Sequence, residues 1–229
     1  MFPAALIPED KLQTRYIAPF GLTALLRPNK PGESVESLWI GGHQGEPGIV
    51  LFVSALDAEI YRLHSLTIGQ EWVRHPLEVI GFRYTVETLK KAWTNLVFGF
   101  NANVRGELSV GPSGCLLVPH YQECFGPLDQ SLERVVFRFA ANRFEWMKEQ
   151  WDLMGEPDHA STIAEMNALG VTAKGAVQLK DIAEKALTLT KIAPIGEAAH
   201  ERIDYSTFNP ATSQWRYGPN DARQREHLH

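Results

Sequence analysis

Glu133-Arg134-Val135-Val136-Phe137-Arg138-Phe139-Ala140-Ala141-Asn142-Arg143-Phe144-Glu145-Trp146-Met147-Lys148-Glu149-Gln150-Trp151-Asp152-Leu153-Met154 is the stretch that decides how this chain of 229 residues is read. Its first part alternates, with Val135, Phe137 and Phe139 on one side and Arg134 and Arg138 on the other, the period of a half-buried strand. Its second part changes period. Phe144, Met147, Trp151 and Met154 gather on one face of a helix over 143–154, which Gly155 and Pro157 stop. Asn142 and Glu145 have the spacing of a capping pair at its start. The same helix is apolar on a second side, where Trp146 and Leu153 project. A helix on the outside of a domain needs only one apolar face, so this one is either buried between layers or covered by another molecule.

Upstream of this junction the pattern is one of short strands. Residues 37–40 and 49–54 are β-rich and flank a glycine-dense loop, and residues 108–110 and 115–118 flank Gly111-Pro112-Ser113-Gly114, which has hairpin turn chemistry. Two helices interrupt them. One covers 57–66, with Ser54 or Asp57 as its cap. The other covers 85–97, where Val86, Leu89, Trp93, Leu96 and Val97 share one face and Gly99 marks the end. Downstream, helices are expected over 162–169, with Thr162 and Glu165 as a capping box, and over 173–190. From Tyr205 the periodicity gives way to polar residues, Pro210, Gly218 and Pro219, which reads as an irregular tail. These segments predict an α+β fold, a mostly antiparallel sheet packed by helices, with a helical C-terminal part. The expected division is an α+β core over 1–158, a helical hairpin packed on it over 159–204, and an irregular, partly mobile tail over 205–229.

Composition narrows the functional classes. Hydrophobic residues make up 44% of the chain and charged residues 21%, a balance that supports a full core and excludes a wholly disordered chain. The 22 basic and 27 acidic residues leave a net charge of −5, so no global positive field would hold a polyanion, and nucleic acid is not the expected partner. The longest apolar run, 49–56, is far short of the roughly 20 residues that span a bilayer, so no membrane insertion is expected. Two cysteines and an N-terminus without a basic leader point to a reducing, cytoplasmic location.

Chemistry-bearing groupings are sparse. Cys115, His120 and Cys124 offer zinc-type ligands within ten residues, but the close cysteine pair and fourth ligand of a zinc site are missing. A Cys115 or Ser54 nucleophile would need His64, His75 or His120 as base, which defines a small hydrolase or transferase as one alternative. Asp57 with Glu59, and Glu145 with Glu149 and Asp152, become acid/base pairs only if the fold assembles them; no cofactor motif is present.

Residues 162–177, Thr-Ile-Ala-Glu-Met-Asn-Ala-Leu-Gly-Val-Thr-Ala-Lys-Gly-Ala-Val, resemble a helix-turn-helix whose turn is Leu-Gly-Val-Thr. That resemblance implies nucleic-acid contact over 162–180 through Lys174, Gln178 and Lys180. It departs from the motif in placing Val177 one residue late for the apolar anchor and in having Gly175, which would weaken it, inside the recognition helix. An ordinary helical hairpin is the competing reading. With aromatic residues in excess of what one helix face needs, the sequence is read as a protein-binding regulator of inhibitor, immunity or adaptor type that masks its partner sterically. Trp146, Leu153, Trp72 and Trp215 would be the anchors and Asn101, Asn103 and Arg105 a recognition loop; a second copy of the chain is also an admissible partner.

Overall fold

A computed structural model describes residues 3–4, 13–28, 35–41, 46–79, 92–126, 134–195 and 204–218. The chain begins with β1 (Pro3–Ala4), β2 (Gln13–Ile17), β3 (Thr23–Pro28), β4 (Val35–Ser37), β5 (Trp39–Gly41) and β6 (Pro47–Phe52), then α1 (Ala55–Thr67) and β7 (Val73–Pro76). The middle holds β8 (Ala92–Val97), β9 (Phe100–Ala102), β10 (Leu108–Val110), β11 (His120–Phe125) and β12 (Arg134–Arg138). Three helices follow, α2 (Ala141–Leu153), α3 (His159–Gly170) and α4 (Ala173–Thr188), and the described chain ends with β13 (Ile192–Pro194), β14 (Asp204–Asn209) and β15 (Gln214–Gly218).

The architecture is α+β, with sheets that mix both strand orientations. An eight-stranded sheet in the order β1-β4-β3-β6-β8-β11, with β5 and β7 branching from it, is the middle layer. Strand alternation sorts its side chains into two cores. Ala24, Leu26, Ile49, Leu51 and Leu96 face one core, which Phe144, Met147 and Trp151 of α2 and Phe137 of β12 cover. Leu25, Val50, Phe52 and Val97 face the other, covered by α1, by Leu179, Ala183 and Ala186 of α4, and by Phe100, Leu108 and Phe208 of a second sheet. Because both faces of β6 are sealed, its residues 49–52 read as an unbroken apolar run rather than an alternation.

Two expectations are corrected. Residues 92–97 of the expected 85–97 helix form β8, which pairs with β6 in parallel and with β11 in antiparallel register; residues 85–91 lie outside the described residues. With both of its faces buried, β8 carries apolar and small polar residues without alternation, and the spacing of Trp93, Leu96 and Val97 imitates a helical stripe. The expected irregular tail is a hairpin over 204–218, in which β14 pairs with β15 and with β9; residues 219–229 lie outside the described residues. Gly99 permits this pairing. Its φ is +138°, and a Cβ there would collide with the Ser206 carbonyl oxygen. The resulting sheet, β13-β10-β9-β14-β15, draws strands from both sides of residue 158.

Smaller differences concern caps. Ser54 caps α1 as expected, accepting the Asp57 N–H, but the N-cap of α2 is Ala140, whose own N–H donates to Glu123 Oε1 at 3.4 Å. Helix α3 begins at His159, so Thr162 and Glu165 lie inside it rather than at its start.

Candidate functional site

The helices α3 and α4 meet in a corner of two residues, Val171 and Thr172. Thr172 has extended backbone angles and its hydroxyl accepts the Gly175 N–H at 3.0 Å, which starts α4 in a new direction. Gly175 has a second role that sequence reasoning missed. A Cβ at this position would strike the Leu169 carbonyl oxygen, so the first turn of α4 can sit this close to the last turn of α3 only because residue 175 has no side chain. Gly175 therefore makes the corner rather than weakening it.

The corner rests on a fixed base. On α3, Asn167 Oδ1 accepts the Ala55 N–H at 2.7 Å, satisfying a donor in the first turn of α1, while its Nδ2 donates to the Gly21 and Val53 carbonyls at 3.0 and 3.1 Å. At the end of α3 the Arg74 guanidinium donates to the Gly170 carbonyl at 3.3 Å, a cation at the negative end of a helix dipole. Desolvation pulls the Arg74 pKa down, and the nearby Glu59 carboxylate, 3.6 Å away, opposes that. On α4, Leu179, Ala183 and Ala186 are fully buried, and Trp215 Nε1 donates to the Ala186 carbonyl at 2.9 Å.

Outward, the corner carries an open depression of about 460 Å³ lined by Glu165, Ala168, Leu169, Lys174, Gly175 and Gln178. Its floor is apolar and its rim bears one charge of each sign. Beside it Val171 is 78% and Val177 61% exposed; elsewhere Val104 is as exposed as Val177, at 61%, and Leu153 is 59% exposed. Val177 is thus not the buried anchor that a helix-turn-helix would need; Leu179 fills that place. Lys174, Gln178 and Lys180 are exposed as the resemblance implies, but Lys180 pairs with Glu184 at 3.1 Å, and the exposed Asp181 and Glu184 share the outer surface of α4. A phosphate backbone laid on this helix would meet both carboxylates.

The other expected contact residues are dispersed. Trp72 and Trp215 are interior: Trp72 is buried beneath the Arg27 guanidinium and donates to Gln70 Oε1, and Trp215 is buried between Phe100 and Phe208. Neither presents an anchor to a partner, because each closes the second core. Trp146 is half-buried, its ring edge-on to Phe98 and Tyr205, and only Leu153 of the second face of α2 stands clear of the body. Asn103 is occupied within its own turn: Oδ1 accepts the Arg105 and Glu107 N–H groups, and Nδ2 donates to Glu107 Oε2. Arg105 is exposed and Asn101 half-buried, and the Asn101 N–H donates to the Leu117 carbonyl.

Among the described residues, neither the nucleophile–histidine grouping nor the zinc-type grouping assembles. Ser54 is buried and its hydroxyl is engaged in capping; Cys115 Sγ donates to Gln70 Oε1 at 3.7 Å; His64 Nε2 lies 2.9 Å from the Gly114 carbonyl. No hydrogen bond among the described residues joins Ser54 or Cys115 to a histidine. His120 and Cys124 sit four residues apart on β11, about 13 Å along an extended strand, too far to share a metal ion. No group of three His, Cys, Asp or Glu side chains among the described residues is placed to hold a metal, and no described helix is long and apolar enough to cross a membrane. Against this geometry, no protein-family model, curated protein or solved structure matches the chain.

Proposed function

We propose that this chain is a protein-binding regulator that acts by steric masking, and that it docks through the α3–α4 corner. The observation that carries the reading is the pairing of an apolar-floored depression with two strongly exposed valines on a base fixed by Asn167 and Arg74. Burying a valine from water stabilises a complex by about 1.5 kcal/mol, and a rigid platform loses little entropy on binding. The mixed charges of the rim, Glu165 and Lys174, suit a protein surface better than a polyanion. Cytoplasm is the proposed location, in keeping with Cys115 and Cys124 forming no disulfide.

The test is capture by the immobilised chain from a lysate of the native host. The double variant Val171→Asp, Val177→Asp should retain less than about one tenth of a specifically captured protein, since two desolvated contacts are lost. Leu153→Asp should capture as the parent does. Equal capture by the double variant would overturn the corner as the docking site, and loss through Leu153→Asp alone would move it to α2. Retention of duplex DNA that weakens with salt and with Lys174→Ala would favour nucleic acid instead.

A further inference from the structure

A two-fold interface between copies of one chain asks a single surface to carry both halves of every contact it makes. The α3–α4 corner does so twice. Its apolar halves are the depression floored by Ala168 and Leu169 and, beside it, the strongly exposed Val171 and Val177. Its charged halves are Glu165 on α3 and Lys174 on α4, both exposed. We propose that, away from its target, this protein pairs with a second copy of itself through the corner. Each copy seats its valines against the other's depression, and each Glu165 meets the other's Lys174. The proposal rests on the docking reading, because the dimer then competes with the target for one surface.

Charge singles out this occupant. The chain carries a net −5, so two copies brought together at random repel each other. The rim of the depression is an exception, since one acid and one base line it and cancel. Neither Glu165 nor Lys174 forms an ion pair with another described residue, so each is left to meet the opposite charge of a second molecule. Lys180, further along α4, is already matched by Glu184 and adds no net charge to the approach.

The surface is also set before pairing. Asn167 ties α3 to the start of α1, the Thr172 hydroxyl starts α4, and the missing side chain of Gly175 lets the two helices meet closely. Little ordering entropy is lost when such a corner is covered. Two helix ends make a patch smaller than a standard interface, so the dimer is a weak one, with a Kd on the order of 10–100 µM. It dissociates on dilution, or when a tighter-binding target takes the corner.

Sedimentation velocity of the full chain from about 1 to 500 µM reads the pairing. The parent should show a monomer–dimer equilibrium within that interval. Glu165→Lys and Lys174→Glu should each weaken it at least about tenfold, because like charges then face each other at two places. An equimolar mixture of the two variants should dimerise to within about threefold of the parent, since every reversed charge then meets its opposite. That recovery also shows both variants to be folded, and Lys174→Glu places its carboxylate in the first turn of α4, where the helix dipole favours it. Val171→Asp, which removes an apolar half, should abolish the dimer. A chain that stays monomeric throughout, a dimer indifferent to both reversals, or variants that melt like the parent yet stay apart when mixed would each overturn the proposal. Failure of the docking reading looks different. A monomeric chain that captures its target through Val171 and Val177 loses only the dimer, whereas a dimer whose valine variants still capture the target places docking elsewhere.

Discussion

The two ends of α3 are built in opposite ways. At its N-terminal end polarity is turned inward: Glu156, His159 and Thr207 are 7%, 4% and 0% exposed, Arg216 Nε and Asn209 Nδ2 donate to the two oxygens of Glu156 at 2.7 and 2.5 Å, and Thr207 Oγ1 lies 2.9 Å from His159 Nε2. At its C-terminal end apolar groups are turned outward, in Val171 and Val177. Buried polar groups destabilise a fold unless they are matched, and here the matches tie the β14–β15 hairpin to the turn between α2 and α3. Exposed valines add nothing to the fold that carries them. The first end is therefore structural machinery, and the second is exposed apolar surface, which the docking proposal assigns to a partner.

The largest effect expected from inward polarity lies at Asp57, which is buried and whose pKa burial raises from 3.8 to about 7. Its folded state prefers the neutral acid. Well below its ordinary value of 3.8 the carboxyl is protonated in both states; as pH rises from there toward 7 the unfolded chain ionises first, so stability is lost across that window and the loss is complete above it. Asp57→Asn should accordingly stabilise the protein at pH 8, by an upper bound of about 4 kcal/mol. His159 works in the opposite direction, because burial lowers its pKa from 6.5 to about 4, against the raising influence of Glu156, so stability is lost as pH falls through that interval. The two slopes partly cancel between pH 4 and 6.5. In Asp57→Asn the cancellation should disappear, leaving a stability that declines on acidification, and in His159→Gln one that declines on alkalinisation. Denaturant midpoints measured from pH 4.5 to 8 read both. A destabilised Asp57→Asn at pH 8 would show that this carboxylate is matched after all, and the contrast drawn from α3 would not extend to α1.

Gly175→Ala comes next. In an open helix the exchange stabilises by about 1 kcal/mol, whereas here the added Cβ meets the Leu169 carbonyl and a loss of about 2 kcal/mol is expected. A gain would mean that the corner is looser than its geometry and that the depression is not preformed. Glu156→Gln should lose slightly less, between about 1 and 2 kcal/mol, because Arg216 is 37% exposed and water screens the pair. The smaller effect at the polar end would not reverse the contrast, but a neutral outcome would, since the hairpin would then be held by its apolar contacts alone.

How much of this was legible in the sequence follows the same division. Helices α2, α3 and α4 were readable because each pairs a buried stripe with a wet side, α1 because Ser54 caps it, and β12 because Phe137 and Arg138 alternate between inside and outside. Strand β8 was not, since a strand sealed on both faces leaves no alternation to read. The β14–β15 hairpin was hidden for a different reason. Its polar residues, Ser206, Thr207 and Asn209, look like those of a solvated tail, and only the three-dimensional placement of Phe100, Glu156 and His159 shows that they are satisfied inside. The candidate site was half legible. Lys174 and Gln178 were picked out through the helix-turn-helix resemblance, but the anchors expected at Trp72 and Trp215 failed because a large aromatic residue gives no sign in sequence of whether its surroundings will close over it. Gly175 was misread as a weakness for the same reason, as its value depends on a carbonyl six residues earlier in the chain.

The smallest effect is the most direct test of the outward end. Val171→Asp and Val177→Asp, singly or together, should leave unfolding free energy within about 0.5 kcal/mol of the parent. Both side chains already meet water in the folded state, so removing them forfeits little burial. At position 177 the electrostatic terms also nearly balance: the new carboxylate lies one turn after Lys174, which it attracts, and one turn before Asp181, which it repels. Position 177 lies beyond the first turn of α4, and at position 171, the C-cap of α3, a carboxylate meets the negative end of that helix, an exposed site where the cost is about 0.3 kcal/mol. A loss above about 1 kcal/mol, read from denaturant melts of the isolated chain, would place these valines among residues that hold α3 against α4. The corner would then be as structural as the Glu156 end, and the proposal that it docks a partner would fall.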